Sequence, residues 1–139
     1  MTQSVNPPVK ILFVCIGNAC RSQMAEAWAR HLGNDRVQAA SAGTFPLGEI
    51  TAETFTVMSE KGISLDGQWS KGLREVTPAE MDVVVCMGRG VLCPLPEDFP
   101  GRLKDWKIPD PYGRGLEAFR KARDLIEQEV RALLNELKR

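Results

Sequence analysis

The sequence predicts an α/β fold with a mainly parallel sheet covered on both faces, and three observations carry that prediction. Short apolar runs rich in β-branched residues alternate along the chain with segments of helical period. The first run, residues 9–14 (VKILFV), is apolar almost throughout, the pattern of a strand buried on both faces. No hairpin signal joins consecutive runs, so each return passes through a helix or a long connection.

Taken in order, residues 1–8 contain Pro7-Pro8 and read as a flexible N-terminal tail, with one domain over 9–139. After the first strand the period changes. Met24, Ala25, Trp28 and Leu32 fall on one face of a helix from about Ser22 to Leu32, closed by Gly33-Asn34. Residues 37–42 form a short second strand, and 44–48 a loop. Residues 51–61 read as a helix with Ala52, Phe55 and Met58 inward and Gly62 as its stop. Thr77-Pro78-Ala79-Glu80 resembles a capping box opening a brief turn. A buried strand covers 81–86, a loop 88–101, and a weaker strand 103–108. The last helix, 116–137, places apolar residues at 119, 122, 126, 130, 133 and 137, with the charges from Arg120 to Arg139 on a solvated face.

Composition removes several classes of function. Eighteen basic residues balance eighteen acidic ones, so no basic surplus argues for nucleic acid. No apolar run approaches the length of a membrane span, and no basic segment precedes an apolar one as in a signal peptide. A cytoplasmic, monomeric protein is expected. Its four cysteines, Cys15, Cys20, Cys86 and Cys93, are then not expected to form structural disulfides. They lack a Cys-x-x-Cys pair, and His31 is the one histidine, so no metal is expected.

The chemistry concentrates where the first strand ends, at 15–23, CIGNACRSQ. A tight loop through Ile16, Gly17, Asn18, Ala19 and Cys20, with Asn18 able to take left-handed angles, can turn successive N–H groups to one centre. The following helix adds free N–H groups and the positive end of its dipole. Arg21 supplies a guanidinium fork, which makes the loop a cradle for a tetrahedral oxyanion. The same field favours an ionised sulfur, so Cys15 is the candidate nucleophile and Ser22 a hydrogen-bond donor to it. Cys86 also ends a strand and can share the same rim.

The segment CIGNACRSQMAEAW closely resembles the anion-binding loop and first helix of the low-molecular-weight protein tyrosine phosphatase superfamily, which includes the thioredoxin-coupled arsenate reductases. The resemblance continues through Ser41–Gly43, the VVVC strand, Asp110-Pro111 and the last helix. It implies a four-stranded parallel sheet with flanking helices, Cys15 as nucleophile, Arg21 as anion clamp and Asp110 as general acid. A carboxyl on a loop stiffened by Pro109 and Pro111 suits that last role. Cys20 matches a loop cysteine found in both branches, one that in phosphatases can trap Cys15 as a disulfide.

The branches differ in the fate of the cysteinyl adduct. Water hydrolyses a cysteinyl-phosphate, whereas a second thiol attacks the sulfur of a cysteinyl-arsenate and expels arsenite. The segment 86–94, CMGRGVLCP, resembles the reductases in the spacing of Cys86 and Cys93 and in Pro94. Gln23 resembles them too. The resemblance implies attack of Cys86 on Cys15, then of Cys93 on Cys86, with Gly88 and Gly90 supplying flexibility. A thioredoxin-type reductant follows as co-substrate, with no bound cofactor. Cys86-Met87 and residues 108–113 (IPDPYG) look more like the phosphatases, which keeps phosphotyrosine phosphatase as the alternative activity. Many of the reductases hold potassium near the loop. Asn18, Glu26 and Ser41 match its ligand positions, but Trp69 and Lys71 occupy the other two, and an ammonium there replaces the ion.

Overall fold

A computed structural model describes residues 7–88, 95 and 97–138. The expected tail lies outside the described residues except for Pro7 and Pro8, and so do Gly90, Cys93 and Pro94. Four strands, β1 (Val9–Cys15), β2 (Val37–Gly43), β3 (Val83–Met87) and β4 (Arg102–Trp106), form one parallel sheet in the order β2-β1-β3-β4. The α-helices are α1 (Arg21–Gly33), α2 (Ala52–Ser59) and α3 (Leu116–Glu136). Short 3-10 turns follow at Asn34–Arg36, Leu73–Glu75 and Pro78–Glu80. This is the expected α/β architecture.

The two faces of the sheet carry unequal layers. Ile11, Phe13, Cys15, Val83, Val85 and Met87 pack with Met24, Trp28, Val57, Met58, Phe119 and Ile126, so all three α-helices share this larger core. Leu12, Val14, Ala42, Val84 and Cys86 form the second face, covered by Leu73, Val76, Met81, Leu95 and Phe99. Helical cover on that side, among the described residues, is the pair of 3-10 turns at 73–75 and 78–80. β1 is central and almost wholly buried, which its continuous apolar run requires. β4 is an edge strand, and Arg102, Lys104 and Asp105 on it discourage pairing with another chain.

Four local readings change. In α2 the inward residues are Thr54, Val57 and Met58, while Ala52 is exposed and Phe55 is 49% exposed. Thr54 turns inward because its hydroxyl donates to the Ala19 carbonyl at 3.0 Å. On α3, Arg123 is buried rather than solvated, donating to the Val57 carbonyl at 2.9 Å and to Glu60 at 2.7 Å. The turn at Pro78 has proline at its start but no side-chain cap. β3 begins at Val83 because Asp82 is engaged with Lys10, its carboxylate accepting from the Lys10 N–H at 2.8 Å.

A candidate oxyanion cradle

Between Cys15 and Arg21 the backbone carbonyls are pinned outward one after another. The Cys15 carbonyl accepts from Thr44 N–H at 3.0 Å, Ile16 from Phe45 at 2.8 Å and Gly17 from Leu47 at 2.9 Å. The Asn18 carbonyl accepts from Gln23 Nε2 at 3.0 Å, and Ala19 from Thr51 N–H at 3.1 Å. In a trans peptide plane the next N–H points opposite to the carbonyl. Five consecutive amides, those of residues 16–20, are thereby turned to the other side, and none donates to an acceptor among the described residues. Asn18 has φ +49°, the left-handed turn that bends the row into a bowl. Gly43 closes its outer wall, since a Cβ there would lie 2.5 Å from the Ile16 carbonyl oxygen. The start of α1 adds the positive end of its dipole.

Cys15 lies at the floor, its Sγ 2.8 Å from Ser22 Oγ. Asn18 orients the serine. Its Oδ1 accepts from Gln23 Nε2 and from Lys71 N–H, both at 2.8 Å, so Nδ2 must donate, to Ser22 Oγ at 2.8 Å and Ser41 Oγ at 2.9 Å. The Ser41 hydroxyl in turn donates to Glu26 Oε1 at 2.6 Å. Ser22 accepts from Asn18 and still has its proton to give, and an ionised Cys15 sulfur can only accept it, which stabilises a thiolate. All four polar side chains in this chain, Asn18, Ser22, Ser41 and Glu26, are buried.

Arg21 is buried as well. Its Nη1 donates to the Met87 carbonyl at 2.8 Å and the Ile108 carbonyl at 3.1 Å, which anchors the guanidinium between β3 and the segment after β4. Its Nη2 stands 3.7 Å from Asp110 Oδ2, and the Asp110 side chain is 52% exposed at the mouth of the bowl. The Tyr112 N–H donates to Asp110 Oδ1 at 3.1 Å, holding the carboxylate over the site. Cys15, Arg21, Ser22 and Asp110 thus converge as the sequence reading places them. Cys86 ends beside them but faces away: it pairs in register with Val14 on the second face, whereas Cys15 belongs to the first. Cys86 is disulfide-bonded, while Cys15 and Cys20 are free.

Burial pushes the Cys20 thiol up to about 11, with hydrogen bonds from Thr51 and Thr54 opposing the shift. Lys71 is buried with its Nζ donating to the Trp69 carbonyl at 3.1 Å and lying 4.0 Å from Glu26 Oε1. Burial lowers its pKa, and Glu26 works against that. Arg30 also pairs with Glu26. Two side-chain cations, Lys71 and Arg30, thus face the Glu26 carboxylate. Among the described residues no group of three or more His, Cys, Asp or Glu side chains is placed to hold a metal. Sequence reasoning missed Thr54, which supports the loop from below. Gly88 passes directly over Arg21, a Cβ built on it lying 2.1 Å from Nη1.

Residues 10–139 match the low molecular weight phosphotyrosine protein phosphatase family. A glutaredoxin arsenate reductase of Synechocystis sp. is 35% identical over 126 residues, covering 90% of this chain and 95% of that protein. A solved arsenate reductase in its phosphate-binding state superposes with a TM-score of 0.84 at 32% identity, covering 94% of this chain and 99% of that one. A thioredoxin-dependent arsenate reductase of Corynebacterium glutamicum gives a TM-score of 0.78 at 26% identity, covering 96% of this chain and 63% of that one. With its Cys15 cradle and four-stranded sheet, this chain belongs to the low molecular weight phosphotyrosine protein phosphatase family.

Proposed function

We propose that the protein reduces arsenate to arsenite through a cysteinyl-arsenate adduct on Cys15. The oxyanion sits on the amides of Ile16, Gly17, Asn18, Ala19 and Cys20, with the free edge of the Arg21 guanidinium on its oxygens. The Cys15 thiolate attacks arsenic, and one oxygen leaves as water with a proton from Asp110. The Cys86 thiolate then attacks the Cys15 sulfur. The S–As electron pair stays on arsenic, so As(V) becomes As(III) while two thiolates become the Cys15–Cys86 disulfide. Cys93 attacks Cys86 and frees Cys15. A thioredoxin-type dithiol reduces the resulting disulfide, and no bound cofactor is needed.

One observation carries reduction over hydrolysis: a second cysteine, Cys86, stands one residue from the carbonyl that anchors Arg21, and it is disulfide-bonded while Cys15 is free. The arsenate reductases among its relatives support the same reading. Because Cys86 and Cys15 face opposite sides of the sheet, the sulfur transfer requires the end of β3 to leave its register. A thiol relay fed by a thioredoxin-type donor suits a reducing compartment such as the cytoplasm, and no described helix is long and apolar enough to cross a membrane. The protein needs no second copy to complete this site, so we take it to act as a monomer.

The second reading, phosphotyrosine phosphatase, is favoured by the Asp110 carboxylate 3.7 Å from Arg21 and by Tyr112, 57% exposed beside it. The separating experiment follows NADPH consumption with arsenate, thioredoxin and thioredoxin reductase, and a parallel arm replaces thioredoxin by glutaredoxin and glutathione. Arsenate-dependent turnover that vanishes in Cys93→Ser, with aryl phosphate hydrolysis intact, is the expected result. Turnover unaffected by Cys93→Ser removes the three-thiol cycle, and hydrolysis without any arsenate turnover makes the protein a phosphatase.

A further inference from the structure

We infer that Gly88 is a positioning residue for the anion clamp: the absence of a side chain there sets the Arg21 guanidinium and hence the affinity of the cradle for its oxyanion. This rests on the cradle described above and not on whether the bound ion is reduced or hydrolysed.

Three observations meet at this point. Gly88 has φ +111°, a conformation that L side chains rarely adopt. A Cβ built on it would lie 2.1 Å from Arg21 Nη1 and 3.3 Å from Cζ, far inside van der Waals contact. The same Nη1 donates to the carbonyls of Met87 and Ile108. The backbone at 87–88 therefore forms a plate against one edge of the fork. With Nη1 spent on protein carbonyls, the opposite edge is left to take two oxygens of the anion. Arg21 is buried and tied to two carbonyls, so relieving the clash breaks those bonds. A methyl group at 88 must push the guanidinium off its two carbonyls and out of line with the bowl.

The test is calorimetric titration of the protein with inorganic phosphate, with no reductant present, so that binding is read apart from turnover. Gly62 provides the control. It has φ +71° and nothing within 4 Å of a built Cβ, so Gly62→Ala imposes comparable backbone strain far from Arg21. Gly88→Ala is expected to weaken phosphate binding by roughly tenfold or more, the scale of a misaligned charge-assisted fork, and to raise the KM for arsenate alike. Gly62→Ala is expected to leave both within about twofold while lowering the melting temperature to a similar extent. In an Arg21→Lys background, which lacks Nη1, Gly88→Ala is expected to change phosphate affinity by less than about threefold, because the two substitutions remove one interaction. Unchanged phosphate affinity in Gly88→Ala overturns the assignment, and so does a full second loss in the double variant. A Gly88→Ala protein that fails to fold where Gly62→Ala folds makes the glycine structural and overturns it equally. Absence of phosphate binding by the unsubstituted protein defeats the cradle itself.

Discussion

Asn18 combines two requirements that seldom fall on one residue. Its backbone takes φ +49°, and its side-chain amide uses both donors and both acceptor positions. Asn18→Asp keeps the shape but removes the two donors, so Ser22 loses the partner that orients its proton to Cys15. The expected loss in kcat/KM is roughly 10- to 100-fold, the weight of a charge-assisted hydrogen bond, read in the arsenate assay. Ser22→Ala is expected to fall in the same range. Cys20 behaves differently although it sits in the same loop. Its thiol, pushed up to about 11 by burial, stays protonated at neutral pH. Iodoacetamide at pH 7.5 is therefore expected to leave Cys20 unlabelled in peptide maps. Lys71→Met removes the ammonium beside Glu26 and leaves a buried carboxylate facing Arg30 alone on the side-chain cations, so lower stability and weaker arsenate turnover are expected together.

At the scale of elements, α2 acts as a buttress. Thr54 donates to the Ala19 carbonyl, and Thr51 N–H donates to the same oxygen, so the helix start holds the cradle from beneath. Thr54→Val deletes a buried hydrogen bond and is expected to cost about 1–3 kcal/mol in denaturant unfolding while leaving the shape of the helix unchanged. The C-terminal end of α2 is tied to α3 through Glu60, whose carboxylate Arg120 and Arg123 hold at about 2, against an ordinary value of 4.5. A depressed acid stabilises the fold above its unfolded value and loses that contribution as the pH falls towards its folded value. Melting temperature is therefore expected to fall between about pH 4.5 and 2, and Glu60→Gln to flatten that fall. The elements themselves were legible, because continuous apolar strands and a 3.6-residue period leave direct marks in composition. The inward face of α2 was not. Thr54 ranks below Phe55 in any apolar count, and it faces inward only because a loop carbonyl distant in sequence needs a donor. Arg123 escaped for the same reason, its partner being the Val57 carbonyl on another helix.

For the whole molecule, the parallel sheet delivers β1, β2 and β3 to one rim, where ligands of such sheets are bound. The loop from Cys15 to Arg21 was readable from residue order alone, since cysteine, glycine, asparagine and arginine each have a local reason to be there. The placement of Cys86 was not, because which face a strand residue occupies depends on a register fixed by its neighbours. The register puts Cys86 opposite Val14, across the sheet from Cys15, and turns the proposed sulfur transfer into a conformational step. The most direct measurement of that step is a single turnover of fully reduced Cys93→Ser with excess arsenate, with arsenite quantified and the protein digested for disulfide mapping. One equivalent of arsenite per protein and a Cys15–Cys86 cross-linked peptide are expected. Repeated turnover, or arsenite formed with Cys15 and Cys86 still unlinked, would contradict the account.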